Sequence, residues 1–244
     1  MITFKQFLSE DASALEPEDA AKFIATHCRE VLDDLGLKMI YGTNPVLRGQ
    51  FLWRGLGDLP KNKAHVLDGT RTRIPVDSSA EMTDTMNAYF QKAFNYPYRT
   101  KGVFVIGNRS FAASYGNVFS IFPVDGYNCI WSPRVEDAFM AFDQRGHGEM
   151  PSMARTVCNE LEIDNPFDPH SDVPIPDQDA AWDEWWRILL RWLEQTNPYE
   201  DGRLLKGLEN IPRPEIMLKC KQYIAIPTSE KFEIEMYDYL AELL

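Results

Sequence analysis

The chain has 244 residues, of which 44% are hydrophobic and 25% are charged, and its formal net charge is −12. This composition excludes a wholly disordered chain, because a chain of this length with ordinary apolar content can bury a sizeable core. The negative charge excludes broad binding along a nucleic-acid backbone, which requires a cationic surface, although a local basic groove is compatible with it. Four scattered cysteines without a CxxC pair argue against a disulfide framework or a structural zinc site and favour a reducing, intracellular setting.

The first part of the chain predicts two helices separated by a strand and a loop. The first helix begins near Pro17, where proline suits the first turn, and ends at Gly36. Residues 50–55 predict a strand that ends in a turn, and the polar residues 60–77 predict a loop. A capping box over residues 78–81 then opens the second helix, whose expected buried face consists of Met82, Met86, Tyr89, Phe90 and Phe94.

Strands dominate the middle of the chain. Residues 102–107 have the apolar pattern of a buried strand, and residues 108–116 predict a short helix. Residues 118–124 and 127–131 predict two further strands, which the Asp-Gly pair at 125–126 is expected to join as a hairpin.

The last third mixes a loop, a helix and a strand. Four prolines and several aspartates make residues 164–179 a predicted loop, and residues 182–193 predict a helix that carries tryptophans mostly along one side. Residues 215–226 predict a strand, and the apolar residues 232–239 fit either a strand or a short helix. This order of elements is typical of an α+β fold.

The first ten residues form a short amphipathic pattern. The opening Met-Ile-Thr-Phe-Lys-Gln-Phe-Leu resembles the capsid-targeting leader of internal head proteins in T-even-type bacteriophages, and Leu8-Ser9-Glu10 is similar to the site that the phage prohead protease cuts. The resemblance implies a virion protein that begins at Asp11 after cleavage, lies inside the capsid and then enters the host cytoplasm. From the residues alone, an ordinary frayed first helix is the alternative.

Three separated segments resemble the signature strands of the ADP-ribosyltransferase fold. Residues 52–55, Leu-Trp-Arg-Gly, match a strand that ends in an aromatic or aliphatic residue followed by Arg-Gly. Residues 102–116 match a strand that begins with glycine and continues through a Ser- and Ala-bearing turn to a tyrosine. Residues 214–226 match a strand that begins with Glu and three apolar residues and returns after a short polar break. The segments occur in the family's order.

The resemblance implies an α+β fold with split, mixed or antiparallel sheets and flanking helices. It implies one domain over residues 11–244, with a helical and loop insertion around residues 141–200 that helps to shape the acceptor site. The expected activity is that of a mono-ADP-ribosyltransferase, with NAD as substrate and a host protein or nucleic acid as acceptor. A metal ion is not an expected partner. A membrane is not expected either, since no run approaches the roughly 18 apolar residues of a membrane span.

The resemblance also assigns roles to individual residues. Glu215 is expected to stabilise the oxocarbenium-like state that forms when the nicotinamide–ribose bond breaks. Arg54 is expected to bind the phosphates or ribose of NAD, because a guanidinium forms bidentate, charge-assisted hydrogen bonds. Aromatic rings near residues 111–115 are expected to stack on nicotinamide. The full set expected to bind NAD is Arg54, Gly55, Gly107, Asn108, Ser110, Phe111 and Tyr115.

Departures from the family pattern bear on the acceptor. Branches that modify arginine carry a second Glu two residues before the catalytic one, where this chain has Arg213. Their Ser-Thr-Ser triplet is also absent, with residues 106–108 near its place. Arginine is therefore a disfavoured acceptor, and the branch with histidine at the first motif is excluded by Arg54.

Other interpretations stay open at this point. Arg54 and Glu215 also fit ordinary charges at strand ends, and Ser110 and Tyr115 also fit a helix cap and a packing residue. An acidic chain can act as a non-enzymatic inhibitor or nucleic-acid mimic that occupies a cationic groove of a host protein. An inactive packaged internal head protein is a third interpretation. The mimic needs neither Arg54 nor Glu215, whereas the enzyme needs both.

Sites of other enzyme classes are disfavoured. No GxGxxG motif follows a strand, and no P-loop is present. Acidic residues and His170 between positions 164 and 172 have oxygen and nitrogen atoms that can bind a divalent ion, but the surrounding prolines favour a solvated loop. Cys158 lacks the His and Asn context of a thiol nucleophile.

Overall fold

The computed structural model describes residues 13–41, 46–57, 59–73, 78–144, 150–168, 178–202, 204 and 215–244. The predicted leader, residues 1–10, lies outside this part of the chain. The protein divides into two compact units, termed here the sheet unit (within residues 1–71, 102–131 and 201–244) and the helical unit (within residues 72–101 and 132–200).

Strands and helices are numbered in chain order. The described strands are β1 (Ser13–Leu15), β2 (Lys38–Ile40), β3 (Val46–Arg48), β4 (Trp53–Leu56), β5 (Ala64–Asp68), β6 (Val103–Ile106), β7 (Asn117–Pro123), β8 (Asn128–Trp131), β9 (Glu200–Asp201), β10 (Glu215–Lys219) and β11 (Gln222–Pro227). The described helices are α1 (Pro17–His27), α2 (Arg29–Asp34), α3 (Ala80–Phe94), α4 (Tyr98–Lys101), α5 (Arg109–Ala112), a 3₁₀ turn (Ala113–Tyr115), α6 (Ala138–Phe142), α7 (Ala154–Leu161), α8 (Gln178–Thr196) and α9 (Glu230–Leu243).

One large antiparallel sheet forms the centre of the sheet unit. Eight of its strands follow the order β1-β5-β11-β7-β4-β6-β10-β8, and every neighbouring pair among them is antiparallel. Strands β2 and β3 form a separate two-stranded sheet. Helices α1 and α9 pack against each other. The predicted α+β class, with a large antiparallel sheet and flanking helices, is therefore confirmed.

Burial differs between the strands of the sheet unit: β6 buries alternate residues, whereas β10 and β11 bury consecutive ones. Val103 and Val105 of β6 are buried, as are their register partners Leu218 and Ile216 of β10. Burying apolar side chains in this way stabilises the unit at about 25 cal/mol per Å² of surface removed from water.

The first helix is interrupted at a residue that the pattern alone did not mark. Helix α1 ends at His27 and α2 begins at Arg29, because Cys28 adopts φ −126° and ψ 32° between them. Gly36 ends the segment with φ +59°, as its position predicted. The predicted helix is thus confirmed as two shorter ones.

The prediction of a loop over residues 60–77 was wrong in part. Residues 64–68 form β5, which pairs with both β1 and β11. Its three leading residues, Ala64, His65 and Val66, are all buried, and the buried His65 bonds through Nε2 to the carbonyl of Pro60 at 3.0 Å. The polar composition of the window hid a short strand that has a neighbour on each side.

The predicted hairpin between residues 118–124 and 127–131 was also wrong. Both strands form, but β7 pairs with β4 and β11 whereas β8 pairs with β10. The residues Asp125 and Gly126 instead form hydrogen bonds with α2. The Asp125 carboxylate accepts a hydrogen bond from the Glu30 backbone N–H at 2.9 Å, and Gly126 N–H donates to the Glu30 carboxylate at 2.8 Å.

The predicted strand over residues 215–226 is two strands that occupy separate places in the sheet. β10 lies between β6 and β8, whereas β11 lies between β5 and β7. The residues after them, for which strand and helix were both open, form α9 with Phe232, Met236, Tyr237 and Leu240 buried.

The helical unit carries the tryptophan-rich helix. α8 buries Trp182, Trp185, Trp186 and Trp192, as the predicted stripe requires. In α3, Ser79 Oγ accepts a hydrogen bond from the backbone N–H of Met82 at 3.1 Å, which agrees with the predicted cap. The residues 141–200, expected as an insertion, fall in this unit, which also includes residues 72–101 and 132–140. None of the helices that the structure describes has the length and apolar content needed to cross a membrane.

Candidate functional site

The strands that begin the three segments of the family resemblance are neighbours in the sheet, whereas β11, the second strand of the third segment, lies elsewhere. β4, β6 and β10 lie side by side, although they are separated by about 50 and 110 residues in the sequence. β6 and β10 share four register pairs, whereas β4 and β6 meet at a single pair. Sequence order alone does not require this arrangement, since β7 and β8 intervene in the chain.

A row of three residues crosses these strands, termed here the cross-strand row. Trp53 of β4 lies opposite Ile106 of β6, and Glu215 of β10 lies opposite the same Ile106 from the other side. Directly opposed residues in antiparallel strands project to the same face of a sheet, so the Trp53 ring and the Glu215 carboxylate share one face. Both side chains are half-buried.

A cation lies on this face beside the row. The guanidinium carbon of Arg109, the first residue of α5, is 5.4 Å from the centroid of the Trp53 ring. Such a cation–π contact holds an exposed arginine in place by about 0.5–1 kcal/mol. Helix α9 supplies a carboxylate nearby: burial raises the pKa of Glu233, and the positive charge of Arg109 partly offsets that rise.

The segment that follows β6 is fixed against β4 at Gly55. A Cβ atom at Gly55 would lie 2.5 Å from the carbonyl oxygen of Ala112 and 2.7 Å from Cβ of Tyr115. Only glycine permits this approach, because real Cβ atoms do not come so close to other atoms. Asn108 caps the segment, with its side-chain oxygen accepting from the Phe111 backbone N–H at 2.9 Å.

The aromatic residues expected to stack on nicotinamide occupy the same segment. The rings of Phe111 and Tyr115 are 5.8 Å apart at an interplanar angle of 89°. Phe111 is half-buried, while 49% of Tyr115 is exposed. Gly107 is half-buried directly after β6, and Ser110 is exposed within α5. These residues and Gly55 are therefore grouped around the end of β6.

Arg54 lies apart from the cross-strand row. Because side chains alternate along a strand, Arg54 and Trp53 of β4 project to opposite faces of the sheet. The charge of Arg54 acts on the thiol of Cys220. Cys220 follows the last residue of β10, at the opposite end of that strand from Glu215. Among the residues that the structure describes, no hydrogen bond or ion pair joins Arg54 to Glu215. The clamp role of Arg54 stays a prediction.

Sequence reasoning missed two members of this region, Trp53 and Arg109, as contributors to a site. Both stand within the quoted motif segments, but nothing in their spacing relates position 53 to position 109. The Trp53–Arg109 contact arises from the pairing of β4 with β6, which is a long-range feature.

The four cysteines are buried free thiols. Burial raises the pKa of Cys129 to about 12, of Cys158 to about 11 and of Cys220 to about 12, and it raises the pKa of Cys28 further still. A nucleophilic cysteine requires a lowered pKa, so the thiols have the opposite of the required property.

No set of three or more His, Cys, Asp or Glu side chains in the described residues is grouped closely enough to hold a metal ion. Of the acidic cluster noted between positions 164 and 172, His170 and Asp172 lie outside the described residues. An open depression of about 640 Å³ in the helical unit is lined by Cys158, Asn159, Glu162, Ile163 and Asp164, and it contains none of the predicted site residues.

No protein-family model, curated protein or solved structure matches the chain. Its function must therefore be inferred from its own residues and their geometry.

Proposed function

We propose that the chain is an NAD-dependent mono-ADP-ribosyltransferase of bacteriophage type that modifies a host protein or nucleic acid. The reaction breaks the bond between C1′ of the ribose and the nicotinamide nitrogen. Nicotinamide leaves with the bonding electrons, and an acceptor nucleophile then bonds to C1′ and loses its proton.

One observation carries the proposal: the strands that begin the three segments of the family resemblance are neighbours in one sheet, with Trp53, Ile106 and Glu215 in register. A chance resemblance of three separated segments would not require them to be adjacent. Their adjacency supports a common origin in one site, because a site needs its residues on neighbouring elements.

Glu215 is suited to the central chemical role. In cleavage of a glycosidic bond, positive charge develops on the sugar, and a carboxylate beneath the ring stabilises that charge. Glu215 is half-buried at the start of β10. In the proposal it also accepts a hydrogen bond from the ribose 2′-OH, which holds the sugar for ionisation.

The nicotinamide ring requires an apolar surface with access from solvent. Tyr115 is exposed and its ring lies perpendicular to that of Phe111, and in the proposal it stacks on the planar nicotinamide. The 109–115 segment is fixed to β4 at Gly55. In the proposal this segment positions nicotinamide, and the backbone at Gly107 and Asn108 bonds its amide.

Release of nicotinamide and transfer of label test the proposal together. The protein is incubated with NAD labelled in the adenylate phosphate and with bacterial host lysate, and both nicotinamide and labelled macromolecules are measured. We expect Glu215→Gln to lower both rates by at least about 100-fold, in line with the loss of one transition-state electrostatic contact. The matched control is Glu242→Gln, which alters an exposed carboxylate in the last turn of α9.

Equal rates in the wild type and in a folded Glu215→Gln variant would rule out the assignment. A folded wild-type protein that neither releases nicotinamide nor transfers label would also reject the enzyme. In that case the acidic, non-enzymatic inhibitor becomes the favoured function, since that function depends on the overall net charge of −12 rather than on a catalytic Glu215.

A further inference from the structure

We propose that Arg109, whose guanidinium lies over the ring of Trp53, binds the pyrophosphate of the dinucleotide. The inference rests on the proposed function, because it assigns the anionic part of that substrate to a residue to which the resemblance gave no role. The decisive observation is that Arg109 lies on the same face of the sheet as Glu215.

Two features set the position of Arg109. Its guanidinium lies over the Trp53 ring, 5.4 Å from the centroid. The Gly55 approach fixes the same segment to β4. An arginine held in this way loses less side-chain entropy on binding a ligand than a freely rotating one.

The guanidinium has an unused binding edge. Arg109 is exposed, and within the described part of the chain it forms no ion pair within 4.0 Å. Planar guanidinium N–H groups match two phosphate oxygens at once, and stacking on an aromatic ring leaves that in-plane edge available.

The experiment measures dissociation constants of ADP-ribose and of adenosine, which lacks phosphate, by calorimetry. We expect Arg109→Gln to weaken ADP-ribose binding about tenfold or more, as for loss of a charge-assisted bidentate contact, with no change for adenosine. Arg48→Gln, which alters an exposed arginine of β3, is the matched control and should leave both constants unchanged.

The outcomes separate this inference from the proposed function. If wild-type protein binds ADP-ribose but releases no nicotinamide from NAD, and Arg109→Gln weakens that binding, the inference stands and the enzyme fails. If wild-type protein releases nicotinamide and the folded Arg109→Gln variant keeps the same KM for NAD and Kd for ADP-ribose, the enzyme stands and the inference is overturned. Absence of ADP-ribose binding by the wild type also overturns it.

Discussion

Gly55 lies directly beneath Ala112: a Cβ atom on Gly55 would come within 2.5 Å of the Ala112 carbonyl oxygen. The contact joins the strand of the first motif to the segment that follows the second. It therefore fixes the spacing of two parts of the candidate site.

The first prediction concerns this contact. Gly55→Ala should lower the free energy of unfolding by about 1–3 kcal/mol, because the backbone on both sides must move to admit the methyl group. Gly57→Ala is the control, since nothing lies within 4 Å of its added Cβ. Urea unfolding of both variants checks the prediction, which fails if the two substitutions have the same effect.

The second prediction compares two neighbouring tryptophans of α8. Trp185 Nε1–H donates to the carbonyl of Phe142 at 2.9 Å, whereas Nε1–H of Trp186 is buried without a partner among the described residues. Trp185→Phe should therefore cost about 1 kcal/mol more than Trp186→Phe, because only the first loses a hydrogen bond and leaves a buried carbonyl unpaired. Urea midpoints of the two variants measure the difference. A larger loss in Trp186→Phe would contradict the assignment.

The third prediction concerns the pH dependence of stability at Glu233. Burial raises its pKa, so the folded protein binds the proton more tightly than the unfolded chain does. The carboxyl therefore contributes stability below its unfolded pKa of about 4.3, and that contribution is lost as pH rises through the higher folded pKa. Glu233→Gln should consequently stabilise the protein at pH 7, by less than about 1 kcal/mol because the group is partly exposed and screened.

The gain from Glu233→Gln should shrink toward zero near pH 4. Urea unfolding at both pH values measures it. Glu230→Gln, in the same first turn of α9, is the control for loss of a favourable helix-dipole interaction and should not stabilise at pH 7. A gain of equal size at both pH values would show that charge burial is not the cause.

The fourth prediction concerns the leader. Coexpression with the prohead protease of a T-even-type phage should remove residues 1–10 and leave a chain that begins at Asp11, which intact-mass spectrometry detects. Glu10→Gln should block the cut, because the resemblance places Glu10 at the cleavage position. An intact Met1 chain after coexpression would reject packaging through this leader.

Local patterns predicted the long helices α3 and α8 and the strands β4, β6, β7 and β8, because the causes of these elements are local. The capping side chain of Ser79, the apolar stripe of α8 and the turn at Gly36 depend on residues only a few positions apart. The hairpin at Asp125-Gly126 was predicted on the same local grounds and failed. The turn forms, but its polar groups bond to Glu30, which is more than 90 residues away.

The candidate site was only partly accessible from the sequence. Glu215, Tyr115 and Gly55 were named from resemblance, and the structure brings the segments that hold them together. No role was predicted for Arg109, because its position depends on contact with the ring of Trp53, which lies on a strand far away in the sequence.

By itself, the sequence determined much of the apolar core and the positions of the long helices α3 and α8, because each depends on side-chain properties or on neighbours within a turn or two. Tertiary structure alone decided that Trp53 and Glu215 share one face while Arg54 lies outside their row. The register of antiparallel strands sets which residues lie opposite each other. A shift of one residue would move every side chain of a strand to the other face of the sheet, so the shared face depends on long-range strand pairing.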